Sequence, residues 1–422
     1  MANLLDKRWN IYSIILIIQA LYSLKAWFLW WIPDLPGTVV FFIIGAYNLF
    51  ANPFWDIRNP RRISASVLIF FVYMYITIMK GGNVFYFAQQ IMAAFTLIPL
   101  VLLKSMYQLD LLAKFQKVIT VIVGVSLLFW IGHLVGIDLP HVETSFGTID
   151  RGNGLEDQYY FHNHFLYLVN QTWMMRDGAF APEFLRFSSV FIEPGYLAIL
   201  MTFLLFVNQF NFKERRNIIY LVAIIATVSL AGFLMVAFAY LAHVVRDSKH
   251  GLAGLIIGLL VVFVGYGYFK DYNGGNNFIN EGIIERLEFD QTTGNIAGYN
   301  RTSEDVDRRY NNFITSPNVI VGLGPKAVQE WSGTSVGYKI FFMQYGIIGL
   351  SMFLLFLFNI SKIGRNYRSY ILLLLYMLMF VRGHVTMFWH AFILVYICGV
   401  IQTKFEKQRN EKISTGSAIQ GV

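Results

Sequence analysis

Apolar runs long enough to cross a membrane recur along the whole chain. A spanning helix needs about 20 consecutive, mostly apolar residues, and this spacing predicts an all-α, polytopic membrane protein. Ten runs are interpreted as single spans: 11–31, 37–51, 63–79, 83–103, 115–137, 188–208, 252–269, 336–358, 369–380 and 385–403. The whole chain, 1–422, is expected to form a single membrane domain.

One further run, 217–245, is too long for one spanning helix and too short for two ordinary ones. We expect two shortened helices that meet near Ser229 and Gly232, which brings the total to about twelve spans. A single helix there would reverse the orientation of every later span. The distribution of charge argues against that reversal.

Basic residues are concentrated in alternate connections. Loops on the cytoplasmic side of a membrane protein carry an excess of Lys and Arg, so this asymmetry predicts that both termini are cytoplasmic. The short connections of the other set carry little more than Asp34, Lys80 and Arg382. The basic connections contain Lys7, Arg8, Arg58, Arg61, Arg62, Lys104, Lys114, Lys117, Lys213, Arg215, Arg216, Arg246, Lys249, Lys362, Arg365, Arg368 and the tail 404–422.

The composition agrees with a membrane protein. Hydrophobic residues make up 56% of the chain and charged residues only 14%, whereas soluble domains carry about 25% charged residues. The net charge of +8 is divided among small clusters and forms no continuous basic face, so the expected surroundings are membrane lipid and not nucleic acid. The first apolar run lacks a small-residue cleavage site and is expected to remain as an uncleaved span.

Two long connections, 138–187 and 270–335, fall on the non-cytoplasmic side. Connections of this length are more often functional than not. The first ends with Arg186 and runs through Glu193 into the next span. These two residues lie on one face if the helix is continuous; alternatively, Pro194 is the first helical residue and Glu193 caps the helix. A carboxylate near membrane depth is a functional candidate by default, although a structural ion pair with Arg186 explains it equally well.

The second long connection contains a charged segment that predicts a short helix. Thr302 or Ser303 would cap it, and Glu304 and Asp305 suit its N-terminal end. Arg308 follows Glu304 by four residues and Arg309 follows Asp305 by four, which is the favoured order for helical ion pairs. The alternative to a solvated, salt-bridged helix is an anion-binding site, because guanidinium groups match phosphate geometry.

Metal binding has weaker support in the sequence. Asp305-Val306-Asp307 spells an Asp-x-Asp motif, and His162 and His164 are two residues apart in the first connection. A three-residue motif at the acidic start of a helix is weak support for a metal site. Two histidines without a third nearby ligand are interpreted as polar residues of a loop. We therefore expect no metal site and no cofactor. Gly322-Leu323-Gly324 is interpreted as a tight turn back to the membrane, not a nucleotide site.

The chain resembles the Wzy-type polymerases of bacterial surface polysaccharide, in the O-antigen ligase/polymerase superfamily. The resemblance rests on the order of spans, the two large loops and three motifs. These motifs are Arg-Phe-Ser-Ser-Val-Phe-Ile-Glu-Pro-Gly at 186–195, Thr-Val-Ser-Leu-Ala-Gly at 227–232, and Gly322-Leu323-Gly324 followed by Gly-Ile-Ile-Gly at 346–349.

This resemblance implies a GT-C-like, metal-independent glycosyltransferase in the bacterial inner membrane. The long loops would be periplasmic, and a glycan on undecaprenyl diphosphate would be both donor and acceptor. A Wzz-type chain-length regulator is the implied partner. Glu193 is the candidate base, with Asp305 or Asp307 in reserve, and Arg301 and Arg186 are the first candidates to stabilise the leaving diphosphate. Substrate binding is assigned to Tyr299, Asp305, Arg308, Arg309 and Tyr310.

Three other functions remain open. O-antigen ligases carry a histidine at the position of Ser335, and no histidine occurs from Lys270 to Ile360, which favours a polymerase. A secondary transporter would place charges near the middle of broken spans, where this chain has few. A membrane O-acyltransferase would need an embedded histidine, and His133, His243, His384 and His390 lie in no recognisable pattern.

Overall fold

The computed structural model describes most of the chain. The described residues are 2–32, 34–51, 54–81, 84–150, 156–170, 186–247, 264–275, 280, 284–285, 289–290, 295–296, 304–329, 337–379 and 388–419. Helices dominate these residues. They are α1 (Ala2–Ser23), α2 (Asp34–Ala51), α3 (Pro60–Met79), α4 (Val84–Leu102), α5 (Ser105–Leu134), α6 (Pro194–Val207), α7 (Arg215–Thr227), α8 (Leu230–Asp247), α9 (Glu304–Ile314), α10 (Pro325–Gln329), α11 (Gly337–Gly364), α12 (Tyr367–Leu378) and α13 (His390–Ile419).

Three of the described helices are long and apolar enough to cross a membrane, namely α3, α5 and α11. Shorter apolar helices include α6 and α12. A predominantly helical chain with such helices has the character of a membrane protein, as the sequence predicts. The expected span 252–269 lies largely outside the described residues.

Local sequence signals explain where several helices begin and end. Asn59 has an extended backbone, and its side chain accepts a hydrogen bond from the Arg61 N–H at 3.2 Å, so α3 begins at Pro60. Helix α1 ends at Ser23, whereas the apolar pattern predicted helix to residue 31. Lys25 has a φ of 55°, in the left-handed region that right-handed helices cannot contain.

The predicted division of 217–245 is confirmed. Helix α7 ends at Thr227, the following residue Val228 has a left-handed φ of 44°, and α8 begins at Leu230. A Cβ added to Gly232 would lie 2.5 Å from the Ala198 Cβ, so this glycine lets α8 approach α6 closely. The glycine of the 227–232 motif is therefore required for helix packing.

The first long connection contains β-structure, so the all-α prediction needs correction there. Strands β1 (Val142–Asp150), β2 (Glu156–His164) and β3 (Tyr167–Asn170) form an antiparallel sheet in that order. A second, two-stranded sheet pairs β4 (Phe289–Asp290) with β5 (Asn295–Ile296). The β-branched and aromatic residues of 142–169 suit a pleated strand, and this signal was overlooked beside the apolar helices.

The chain forms two compact units. One comprises 1–25, 29–118 and 305–422, and the other comprises 26–28 and 119–304. Of the candidate residues, Arg186 and Glu193 belong to the second unit, and the helix α9 residues from Asp305 onward belong to the first.

Candidate functional site

Helix α9 begins at Glu304, at the predicted place, and carries a paired arginine cluster. The Arg309 Nε donates to one Asp305 carboxylate oxygen at 2.6 Å, and an Arg308 terminal nitrogen donates to the other at 2.5 Å. The Arg309–Asp305 pair is the one predicted. Arg308 contacts Asp305 three residues away, whereas the sequence suggested Glu304, whose side chain lies outside the described residues. The Arg309 guanidinium, followed by Arg308, holds the Asp305 pKa below its usual range.

The opposite face of α9 is packed on its own compact unit. Val306 and Phe313 are buried against Val328 and Met343, so apolar contacts join α9 to α10 and α11. On the same side, the Lys339 ammonium donates to Asp307 at 2.5 Å. The Asp-x-Asp motif is thereby divided: Asp305 binds two arginines and Asp307 binds a lysine. Each carboxylate has a cationic partner, which argues against a shared metal.

Tyr310 lies between the packed and the charged faces. The Lys339 Nζ is 5.2 Å from its ring centroid, a cation–π distance, and Tyr338 meets the ring edge to face at 6.4 Å. Arg308 is 73% exposed and Arg309 is 42% exposed. Helix α9 thus exposes two guanidinium groups on one face, while its opposite face is packed against α10 and α11.

The two glycine motifs contact each other inside one compact unit. Helix α11 is interrupted at Gly346, where φ is 59° and ψ is −166°. The turn at 320–324 supplies hydrogen-bond partners at this break: Leu323 N–H donates to Met343 C=O at 2.8 Å, and Gly324 N–H donates to Gln344 C=O at 3.1 Å. The Ile348 N–H donates to Ile320 C=O at 3.1 Å. The predicted tight turn exists, and it also completes the backbone hydrogen bonding at the break in α11.

Arg186 is tied to the end of α7. Its Nε donates to the Thr227 C=O at 3.0 Å, and the neighbouring Phe187 N–H donates to the Ala226 C=O at 3.0 Å. Carbonyls in the last turn of a helix lack internal partners and carry the negative end of the helix dipole. Arg186 therefore has a structural role at the α7–α8 junction, which connects two of the motifs that carry the resemblance.

Replacing Arg186 with Met should lower the thermal stability of the protein in detergent. The substitution keeps much of the side-chain length but removes the charge-assisted bond to Thr227, at a cost of about 1.5–3 kcal/mol. Arg216→Met is the matched control, because Arg216 pairs with Glu214 in a partly exposed ion pair worth about 0–1 kcal/mol. Equal melting temperatures for Arg186→Met and wild type would contradict the structural role.

Glu193 occupies the N-cap position of helix α6, so the alternative that begins this helix at Pro194 is confirmed. Pro194 is the first helical residue, and Glu193 has φ −126° and ψ 132°, an extended backbone. The continuous helix that would place Arg186 and Glu193 on one face is wrong, because Ser189 has a φ of 56°. The half-buried Glu193 side chain makes no capping hydrogen bond to the α6 backbone.

The remaining predicted residues lie outside the described part of the chain. These are Tyr299, Arg301, the helix cap at Thr302 or Ser303, and Ser335. Among the described candidates, the fold brings together Asp305, Arg308 and Arg309 on one helix, with Tyr310 beside Lys339.

Sequence reasoning missed a group of three histidines in the first long connection. His141 joins His162 and His164, and one ligand nitrogen from each lies within 4.8 Å of the others. The interpretation of His162 and His164 as polar loop assumed that no third ligand was near. Their alternate spacing on a strand, which places both on one sheet face, was the available signal.

Comparisons with known proteins identify no relative. No family model matches the chain, and no curated protein or solved structure matches it.

Proposed function

We propose that this chain is a polysaccharide polymerase of the bacterial inner membrane. It would transfer a growing glycan from undecaprenyl diphosphate to a sugar hydroxyl of another lipid-linked repeat unit, on the periplasmic side. The observation that carries the proposal is helix α9, which holds Arg308 and Arg309 exposed while its other face is anchored beside the start of an apolar spanning helix.

The position of α9 suits a lipid diphosphate. Such a substrate has its charged group at the membrane surface and its tail in the lipid, so a cationic site close to the end of a spanning helix matches both parts. Asp305 orients the two guanidinium groups and leaves this trio with one net positive charge. A planar guanidinium binds two oxygens of one phosphate at once, a geometry that lysine lacks.

The proposed reaction assigns separate roles to the two sets of residues. The bond between the anomeric carbon and the diphosphate oxygen breaks, and that oxygen keeps the electron pair. The arginines stabilise the negative charge that develops there. The acceptor hydroxyl oxygen forms the new glycosidic bond, and its proton passes to the Glu193 carboxylate.

The fold and topology are part of the same proposal. About twelve spans, a GT-C-like arrangement and two cytoplasmic termini would place 138–187 and 270–335 in the periplasm. The charge asymmetry of the connections supports this orientation. A Wzz-type regulator of chain length is the proposed protein partner.

Deletion of the gene in its native host should collapse the ladder of surface polysaccharide to lipid A core carrying one repeat unit. Complementation with wild type should restore the ladder, and complementation with Arg308→Gln/Arg309→Gln should not. Loss of cations that stabilise developing charge costs about 10²–10³-fold in rate. Arg301→Ala tests the first candidate from the sequence and should also fail to restore the ladder. Gel separation of the polysaccharide, alongside immunoblots of protein level, provides the measurement.

Arg58→Gln is the matched control, because Arg58 is exposed and is expected to face the cytoplasm. It should restore the ladder fully. Long chains that persist on undecaprenyl diphosphate in the deletion strain would identify a ligase and overturn the proposal. An unchanged ladder would favour a transporter or an O-acyltransferase.

A further inference from the structure

Three histidine side chains lie close together beside one face of the β1–β2–β3 sheet. His162 and His164 are two residues apart on β2, so their side chains leave the same face. His141 immediately precedes β1, and Glu143 pairs with His162 across the strands. The rings of His141 and His162 stack, with centroids 4.0 Å apart and 13° between their planes.

Each histidine has a carbonyl or carboxylate oxygen near one of its ring nitrogens. His164 Nδ1 lies 3.2 Å from the Pro140 C=O, and His141 Nδ1 lies 3.4 Å from the Leu139 C=O. His162 Nε2 lies 3.6 Å from a Glu143 carboxylate oxygen. Metal-binding histidines almost always use one ring nitrogen on a carbonyl or carboxylate, which orients the other toward the metal.

His164 provides an independent observation. It is only 3% exposed, and its Nε2 is buried without a hydrogen-bond partner. A buried polar atom left without a partner costs about 1–3 kcal/mol, so such atoms need an explanation. A bound cation would give this nitrogen a partner.

We propose that His141, His162 and His164 bind a divalent transition metal, with zinc as its first candidate. Imidazole nitrogens suit zinc, copper and nickel better than magnesium or calcium. Three protein ligands leave a fourth tetrahedral position open for water or an anionic oxygen. The metal would join the segment before β1 to strand β2 and thereby fix this sheet. None of the three ligands is among the residues proposed for glycosyl transfer.

Zinc binding to the complete protein tests this site. The protein, purified in detergent with a tag free of histidine and stripped with a chelator, should bind one zinc ion in competition with a chromophoric chelator. His141→Gln and His162→Gln should each weaken binding by at least about tenfold. His243→Gln, a histidine outside the group, should bind zinc as wild type does. Zinc should raise the melting temperature of wild type but not of His141→Gln.

His141 is exposed, so its replacement is compatible with the fold. Matching gel-filtration profiles and melting temperatures of the metal-free proteins will verify this. His162→Gln provides a second variant if His141→Gln fails to fold. Substoichiometric zinc in wild type, or equal affinity in wild type and a folded His141 or His162 variant, would overturn the proposal. These readouts are independent of polysaccharide synthesis, so the proposed polymerase and the proposed metal site can fail separately.

Discussion

Replacement of Gly346 with Ala should cause the loss of most folded protein. The backbone of Gly346, at φ 59° and ψ −166°, lies in a region open essentially only to glycine, and another residue pays about 1–3 kcal/mol there. The added Cβ would also lie 2.5 Å from the Ile320 carbonyl oxygen and 2.6 Å from the Gly322 nitrogen. Both neighbours are backbone atoms, so neither can move without displacing the turn.

This displacement would remove the hydrogen bonds that complete the break in α11. Gly346 lies nine residues after the first residue of α11, about 14 Å along the helix at 1.5 Å per residue. In the proposed membrane-spanning position of α11, no water replaces lost partners, so each unsatisfied backbone group costs several kcal/mol. We therefore expect a destabilisation above about 4 kcal/mol, which is exceptional for one methyl group.

Gly124→Ala is the matched control for this experiment. Gly124 lies within α5, and a Cβ there would meet only the Ile219 Cδ1, at an ordinary 3.7 Å. Alanine in a helix is favoured over glycine by about 1 kcal/mol, so this variant should fold as well as wild type or better. Fluorescence-detected gel filtration and thermal melting in detergent provide the comparison. A Gly346→Ala protein with wild-type yield and melting temperature would contradict the role of the broken helix.

The long apolar helices were predictable because a membrane span needs only an apolar run of sufficient length. The division near Ser229 was also predictable, because the alternation of basic and weakly charged connections requires two helices in this run. Helix ends depend on individual backbone angles and were harder to predict from the sequence. The left-handed backbone of Lys25 ends α1 before the predicted residue 31, and α6 begins at Pro194, six residues after the predicted start of the apolar run. The sheet at 142–170 was missed because alternation in a polar loop is a weak signal beside long apolar runs.

In the candidate site, only contacts between residues a few positions apart on one helix were predictable from the sequence. Four-residue spacing correctly paired Arg309 with Asp305. The partner of Asp307 is Lys339, thirty-two residues away, and no local pattern predicts such a contact. The glycine motifs were recognised by resemblance, but their mutual contact follows from tertiary packing. His141 was missed for the same reason, because a hairpin brings it to His162 and His164.

Replacement of Glu193 with Gln should abolish polymer while leaving folded protein. Gln keeps the shape of the side chain but cannot accept a proton from the acceptor hydroxyl. Loss of a positioned general base costs about 10²–10⁴-fold in rate, enough to remove the polysaccharide ladder. The fold should survive, because Gln keeps the size of the side chain and the start of α6 is fixed by Pro194. The ladder on a gel, with the protein level from an immunoblot, gives the result.

Glu214→Gln is a close structural match to this change. Glu214 also precedes a helix, α7, with an extended backbone and no capping bond from its side chain, and it is expected on the cytoplasmic side. Its partner is Arg216, so the substitution should cost at most about 1 kcal/mol and leave the ladder intact. Polymer loss in both variants would indicate that polymer synthesis is sensitive to any change at the start of a helix.

Intact polymer in Glu193→Gln would exclude Glu193 as the base, and the assignment would then pass to Asp305 or Asp307. Both carboxylates already bind cationic partners, two arginines at Asp305 and Lys339 at Asp307.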